Sequence, residues 1–254
     1  MNSAARTITL LTDFGTADGY VAEMKGVMLS RAPGVSVVDI SHDIFPQDVE
    51  AARLAVARYW RRFPVGTVHV VVVDPGVGTE RAAIAVESGG QFLVGPDNGV
   101  LSPALLALDA RAVTLPIPAS ASATFHGRDV FAPAAASIAC GAAIDNLGEH
   151  FPSPMRLRTP EATRRADGAI VGSVLTIDRF GNALTNIVAR SAGSILAAGQ
   201  LLPIVRTYAD AGIGDVVALI GSSGFIEIAV RNGNASQLLQ LERGAEIVLF
   251  KSIS

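Results

Sequence analysis

Three aspartates stand where apolar runs end: Asp13 in LLTDFG, Asp39 in VVDISHD and Asp74 in VVVDPGVG. Each run reads as a strand, and the alternation of strands with helices indicates a mostly parallel sheet. Ligands of parallel α/β sheets bind beyond the carboxyl ends of the strands. One such acid is an ordinary turn or cap residue, but three at three strand ends point to a polar site. Arg81 follows Asp74 after the turn Pro75-Gly76-Val77-Gly78-Thr79. The spacing lets the chain fold back and pair Arg81 with Asp74; the plain alternative is a surface ion pair. The turn lacks the lysine of a Walker loop and is not G-x-G-x-x-G. Its glycines suit close approach of backbone to a ligand. His126, in TFHGRD, lies in a loop before an apolar helix. It can bind or catalyse there, or be inert, and Asp129 can be the helix N-cap.

The second half of the chain carries a different set. Asp178 and Asn182 flank a glycine turn in IDRFGN, followed by Thr185-Asn186. Such a pair can hold adjacent hydroxyls or an amine, or simply form an Asx turn in a hairpin. Tyr208 in TYADAG and Ser222 in GSSGF lie in polar-aromatic loops. Ser222 is no nucleophile elbow, because Ile220 stands where that motif needs glycine. Arg231-Asn232-Gly233-Asn234 is a turn able to present backbone groups to a flat ring.

These residues need a frame, and the pattern supplies one. Ile8–Thr12, Ser36–Ile40 and Thr67–Val73 read as strands, the last without alternation, as in a sheet covered on both faces. Helices are expected over Gly19–Ala32, capped by Asp18, and Val49–Phe63, capped by Asp48. Ala82–Glu87 and Gln91–Val94 flank Gly89-Gly90, a tight hairpin. Leu101–Leu108 and Val130–Ile138 look helical. Phe151–Asp167, with three prolines and a charge cluster, is the linker candidate. Beyond it Ile170–Ile177, Ala183–Val188, Val216–Ile220, Phe225–Val230 and Glu246–Phe250 are short strands, with one helical candidate at Gly193–Ala198. The whole is α/β: a mostly parallel α/β domain over 1–155 and a small all-β, barrel-like domain over 168–254.

Composition narrows the classes. The chain has 254 residues, 50% hydrophobic and 17% charged, with a mean hydropathy of +0.41. That excludes disorder. A net charge of −3 argues against nucleic acid as a partner. No apolar run reaches the roughly 20 residues of a membrane span, and the N-terminus lacks a secretory signal. A cytoplasmic protein without membrane partners is expected. The lone Cys140 excludes an internal disulfide and a cysteine metal cluster, and its apolar surroundings suggest a buried small hydrophobe. The low charge fits either an ordinary composition or a surface covered by other copies of the chain.

Taken together and in order, the segments TDFGTADGYVAEMKG, PQDVE, VVVDPGVGTER, GPDNGVLS, TFHGRD, IDRFGN with TNI, TYADAG, and SSGF followed by AVRNGNAS resemble the S-adenosylmethionine (SAM) hydroxide adenosyltransferases. That family is homologous to the SAM-dependent fluorinases and chlorinases, and the resemblance covers almost the whole chain. It implies a homotrimer with SAM between the N-terminal domain of one subunit and the C-terminal domain of the next. Asp13 matches the ribose-diol aspartate. Asp178 and Asn182 match the pair at the methionine amino and carboxylate end. Tyr208 matches an aromatic along the adenine, and Ser222, Arg231 and Gly233 match the remaining adenine and methionine contacts. Asp74, Arg81 and His126 fall on the catalytic set of the hydroxide branch.

The chain departs from the halogenases. They resemble it less where Asp74 stands, since they carry tyrosine there. Fluorinases carry Tyr-Ser for His126-Gly127, tryptophan for Gln47 and Leu184, and a long insertion after Arg81. The resemblance therefore implies hydrolysis of SAM to adenosine and methionine, with SAM as substrate and neither cofactor nor metal. Three alternatives stand beside it: a halide adenosyltransferase, a SAM or adenosine sensor, and a metal-dependent nucleotidase using Asp13, Asp18, Asp39, His42, Asp43 and Asp74.

Overall fold

In the computed structural model, which describes residues 7–189 and 193–251, the chain divides into two units at Arg158/Thr159. The first is built on β1 (Thr7–Thr12), α1 (Tyr20–Arg31), β2 (Ser36–Ser41), α2 (Val49–Tyr59), β3 (Val68–Val72), β4 (Ala83–Ser88), β5 (Gln91–Pro96), α3 (Ser102–Leu105), β6 (Arg111–Thr114) and α4 (Ala132–Ala139). The sheet order is β2-β1-β3-β5-β4-β6. β2, β1, β3 and β5 run parallel, and only β4 opposes its neighbours.

Alternation along the strands feeds two cores. Ile8, Leu10, Val68, Val70 and Val72 face Met24 and Met28 of α1 and Ala135 and Ile138 of α4. Leu11, Val71 and Val73 face Ala52 and Val56 of α2 and Leu101 and Leu105 of α3. Covered on both faces, β3 carries apolar side chains at every position but one. His69 is the exception. Its Nδ1 pairs with the Thr9 hydroxyl at 2.8 Å and its Nε2 with Gln91 Oε1 at 2.7 Å.

The second unit holds β7 (Thr163–Arg164), β8 (Ile170–Ile177), β9 (Ala183–Val188), β10 (Gly193–Ala197), β11 (Gln200–Val205), β12 (Val216–Ile220), β13 (Phe225–Val230), α5 (Ala235–Leu239) and β14 (Glu246–Lys251). Pairing runs β14-β10-β11-β12-β13-β9-β8, and β14 also pairs with β8, so seven strands close into a barrel with β7 appended. Closure removes the sheet edges. Ile187, Ile195, Leu202, Ala218, Ile228 and Ile247 fill the interior.

Several local expectations are corrected. Gly193–Ala197 is a strand, not a helix: Ile195 and Ala197 point into the barrel, and Ala198-Gly199, both at positive φ, turn the chain back into β11. β11 itself is masked in the sequence by Pro203, which is tolerated because it is exposed and the parallel pairing to β12 begins only at Ile204. α1 is capped by Gly19 in a left-handed conformation, not by Asp18. Leu101–Leu108 shrinks to the single turn of α3. Cys140 is exposed at the end of α4 rather than buried. The boundary between the units falls inside Phe151–Asp167, where residues 151–162 form no helix or strand but are tied down locally, Met155 N donating to Asp97, while β7 pairs with β8. No helix among the described residues is long and apolar enough to cross a membrane.

Candidate active site

β3 delivers Asp74 to the end of the sheet, and Thr12 lies opposite Val72. Asp13 therefore leaves the sheet beside the strand end that carries Asp74. The strand end is fixed from β5: Asn98 Nδ2 donates to Val73 O at 2.9 Å while its Oδ1 accepts from Val100 N at 3.1 Å. Sequence reasoning missed this brace, although Asn98 lies in the motif GPDNGVLS.

The turn after Asp74 closes through Val77 N to Asp74 O (3.2 Å) and Thr79 Oγ1 to Gly76 O (2.7 Å). Gly78 sits at φ +77, and a Cβ there would lie 2.5 Å from Ala123 O. The glycine thus lets this turn press on the loop that ends in His126. Arg81 then folds back. Its Nε donates to Asp74 Oδ1 at 2.9 Å and its Nη2 donates to Asp74 Oδ2. Nη2 also reaches His126 Nδ1 at 2.9 Å. The guanidinium lies 5.4 Å from the centroid of the Phe131 ring. The Arg81 and Asp74 side chains are only 10% and 5% exposed, which sets aside the surface ion-pair alternative.

His126 is buried, and the chain leaves it through a π-helical turn, Gly127–Phe131, before α4. Such turns are rare and concentrate at functional sites. Asp129 does not cap the helix; it accepts from Ser122 N and from Arg128. Arginine has no acceptor, so His126 Nδ1 must accept, and the neutral ring carries its proton on Nε2. Burial first, and then the positive charge of Arg81, hold His126 below the ordinary histidine value. Arg81 Nη1 is buried and has no hydrogen-bond partner among the described residues. The cluster thus offers a fixed donor with an adjacent carboxylate, able to polarise a small oxygen nucleophile.

Asp13 is prepared differently. Its Oδ2 accepts from Gln47 N at 2.7 Å, at a point where Gln47 adopts φ +66. Phe14, Tyr20 and Phe125 stack edge to face beside it, tying the Asp13 loop to the His126 loop. Asp39 is diverted to Lys25 of α1 at 2.6 Å. With Asp39 and Asp74 both paired to cations, the carboxylate cluster required by a metal-dependent nucleotidase is not assembled. No group of three or more metal-ligating side chains occurs among the described residues.

In the second unit, Asp178 Oδ1 accepts from Phe180 N and Asn182 N, both at 2.9 Å, and Asn182 Nδ2 donates to Asp178 Oδ2 at 3.0 Å. The Asx turn weighed from the sequence is therefore present. Gly181 is packed against Asn234, and its carbonyl accepts from Ser236 N at 2.9 Å, which joins this turn to the Arg231–Asn234 turn. Arg231 Nη1 donates to Ala211 O and, at 3.4 Å, to Ala209 O, so it buttresses the loop of Tyr208. Burial, then the nearby Glu227 and Asp178 carboxylates, raise the Tyr208 hydroxyl above the ordinary phenol value. Ser222 is exposed in a turn closed by Gly224 N to Gly221 O at 2.9 Å. Gly233 lies against Val230, where a Cβ would come within 2.5 Å of the valine side chain. Asp178, Asn182, Tyr208, Arg231 and Gly233 thus belong to one set of connected loops.

A parallel-sheet unit with a buried Asp–Arg–His cluster at its strand ends, and a seven-stranded barrel carrying polar loops, define a two-unit protein with small-molecule chemistry. Residues 8–148 match the SAM hydroxide adenosyltransferase N-terminal domain, and residues 172–248 match the C-terminal domain. The chain belongs to the SAM hydroxide adenosyltransferase family. It is 41% identical over 257 residues to an (R)-S-adenosyl-L-methionine hydrolase of Thermus thermophilus, covering 96% of this chain and 99% of that protein. A fluorinase of an Actinoplanes species is more distant, at 30% identity over 290 residues, covering 96% and 97%. The crystal structure of an uncharacterized conserved protein from Thermotoga maritima superposes with a TM-score of 0.88 at 31% identity, covering 96% of this chain and all of that one.

Proposed function

We propose that this protein hydrolyses S-adenosyl-L-methionine to adenosine and L-methionine, by attack of water at C5′ of the ribose. The observation that carries this reading is the Arg81 guanidinium held between Asp74 and His126, in a chain so similar to a SAM hydrolase.

The chemistry asks little of the protein beyond placement. The C5′–S bond breaks with its electron pair going to sulfur, and methionine leaves as a neutral thioether. No general acid and no cofactor are needed for that departure. The C5′–O bond forms from water, which must lose one proton. The protein holds that water in line and keeps competing solvent out. We assign Arg81 Nη1 as the donor that stabilises developing hydroxide character and His126 Nε2–H as a second donor that orients it. Asp74, still rich in acceptor lone pairs, takes the proton. His126 is a poorer acceptor, because its Nδ1 is already engaged by Arg81.

The same set disfavours halide. A bare carboxylate would repel chloride by about 4 kcal/mol at 4 Å and an effective dielectric near 20. Pairing with Arg81 reduces that repulsion, but Asp74 still offers chloride nothing and offers water an acceptor.

In this proposal Asp13 holds the ribose diol with the carboxylate oxygen not engaged by Gln47. Asp178 and Asn182 hold the methionine end, and Tyr208, Ser222, Arg231 and Gly233 line the adenine and remaining methionine contacts. The protein acts in the cytoplasm as a homotrimer, with SAM at subunit interfaces. Phe45 (81% exposed) stands two residues before Gln47, and Phe180 (76% exposed) stands between Asp178 and Asn182. Two such exposed aromatics on binding loops suit a site completed by a neighbouring subunit. Sedimentation as a trimer is expected; a monomer overturns the intersubunit site.

The direct test is chromatography of SAM incubated with the purified protein. Equimolar adenosine and methionine are expected, with the (R)-sulfonium epimer favoured. Absence of turnover, with SAM still bound, would make the protein a sensor instead.

A further inference from the structure

Both flanks of Asp13 are tied to one residue that the proposed chemistry does not use, the near flank by its side chain and the far flank by its backbone. His42 is buried, at 6% exposure, just beyond β2. Its Nδ1 lies 2.9 Å from the Thr12 hydroxyl, immediately before Asp13. That hydroxyl also accepts from Phe14 N at 3.2 Å, immediately after Asp13. The His42 backbone carbonyl accepts from Gly15 N at 2.8 Å. The far edge of the ring faces a carboxylate: Nε2 lies 3.1 Å from Asp39 Oδ1, without the alignment of a hydrogen bond. Asp39 is in turn held by Lys25 of α1 at 2.6 Å.

The polarity of this chain of contacts is determined by its ends. A carboxylate at Nε2 favours a proton there, so Nδ1 is the acceptor in the neutral ring. The Thr12 hydroxyl then donates to Nδ1 and keeps its lone pairs for Phe14 N–H. Every hydrogen on the path has one consistent direction, from Phe14 through Thr12 to His42. The turn at Asp13 is thereby locked on both sides, while Gln47 N fixes one of its carboxylate oxygens.

We propose that His42 is the positioning residue for the ribose-binding carboxylate Asp13. It touches no substrate in this scheme. It aims Asp13 through Thr12, and its effect must appear as lost recognition of the ribose hydroxyls, not as lost chemistry at C5′. This rests on the proposed ribose role of Asp13, and the test separates the two.

The readout is the ratio of kcat/KM for SAM to kcat/KM for its 2′-deoxyribose analogue. A charge-assisted hydrogen bond to one hydroxyl is worth about tenfold or more in that ratio for the native protein. Asp13→Ala should collapse the ratio towards unity. His42→Leu should lower it severalfold and raise KM for SAM, while kcat at saturation and the pH profile stay close to native. His42→Asn, whose amide oxygen can replace Nδ1 as acceptor, should restore most of the discrimination. Should His42→Leu fail to fold, Thr12→Val breaks the same link and should flatten the ratio equally. If Asp13→Ala collapses the ratio while His42→Leu and Thr12→Val leave it native, the positioning role is overturned and the ribose assignment stands. If the ratio survives in Asp13→Ala, the ribose assignment fails, and the positioning proposal fails with it.

Discussion

Arg81 Nη2 reaches His126 Nδ1 at 2.9 Å across 45 residues of sequence. One donor-only group therefore dictates the protonation state of its neighbour. With Nδ1 committed as an acceptor, His126 presents Nε2–H and cannot become doubly protonated without giving up Arg81. The cluster is a donor array with one carboxylate to receive a proton.

That division of labour is expected in the variants. Asp74→Ala and His126→Ala should each retain SAM binding and lose about 10²- to 10⁴-fold in kcat. Isothermal titration with SAM beside single-turnover assays separates the two effects. Asp74→Ala also strands a buried Arg81 charge and should destabilise the fold by about 3 kcal/mol, so Asp74→Asn is the fairer kinetic control. Equal loss of binding in all three would contradict the catalytic assignment.

The pH dependence follows from His126. Burial and Arg81 keep its protonation below the ordinary value of about 6.5. The neutral, competent state therefore persists as pH falls through 6.5 and is lost only at more acid pH. A kcat/KM profile should stay flat to the acid side of 6.5 and then drop with unit slope. In His126→Asn that limb should vanish; an acid limb centred above 6.5 in the native protein would refute the arrangement.

Chloride should not substitute for water. Incubation with SAM and molar chloride should give no 5′-chloro-5′-deoxyadenosine by chromatography. Its detection would move the protein to the halide branch.

A second histidine governs stability. Burial, opposed only by the hydrogen bond to Gln91, pushes His69 down to about 4. The unfolded chain then binds the extra proton first as pH falls. Stability is unaffected above about 6.5 and declines between about 6.5 and 4, by roughly 3 kcal/mol from this residue. Urea midpoints at pH 7 and pH 4.5 should differ for the native protein, and less so for His69→Gln.

Much of this arrangement is legible in the chain. Asp74, Arg81 and His126 were reachable because short motifs at strand ends carry their own geometry: a rigid Pro75 turn, a permissive Gly78, a loop before a helix. Val68–Val72 announces a doubly covered strand by its unbroken apolarity. What escaped was whatever depends on distant partners. Asn98 braces Val73, and His42 braces Thr12, through contacts that no local pattern encodes. β11 was hidden by Pro203, which is harmless only because of where its pairing begins. The packing of Cys140 likewise depends on which face of α4 meets the sheet, and its apolar neighbours in sequence misled.

Hydrolysis of SAM in water enriched in oxygen-18 probes the chemistry itself. Attack of water at C5′ places one labelled oxygen in the 5′-hydroxyl of adenosine and none in methionine. Mass spectrometry should find adenosine heavier by one label and methionine unlabelled. Unlabelled adenosine, or methylthioadenosine in its place, would contradict the proposed attack.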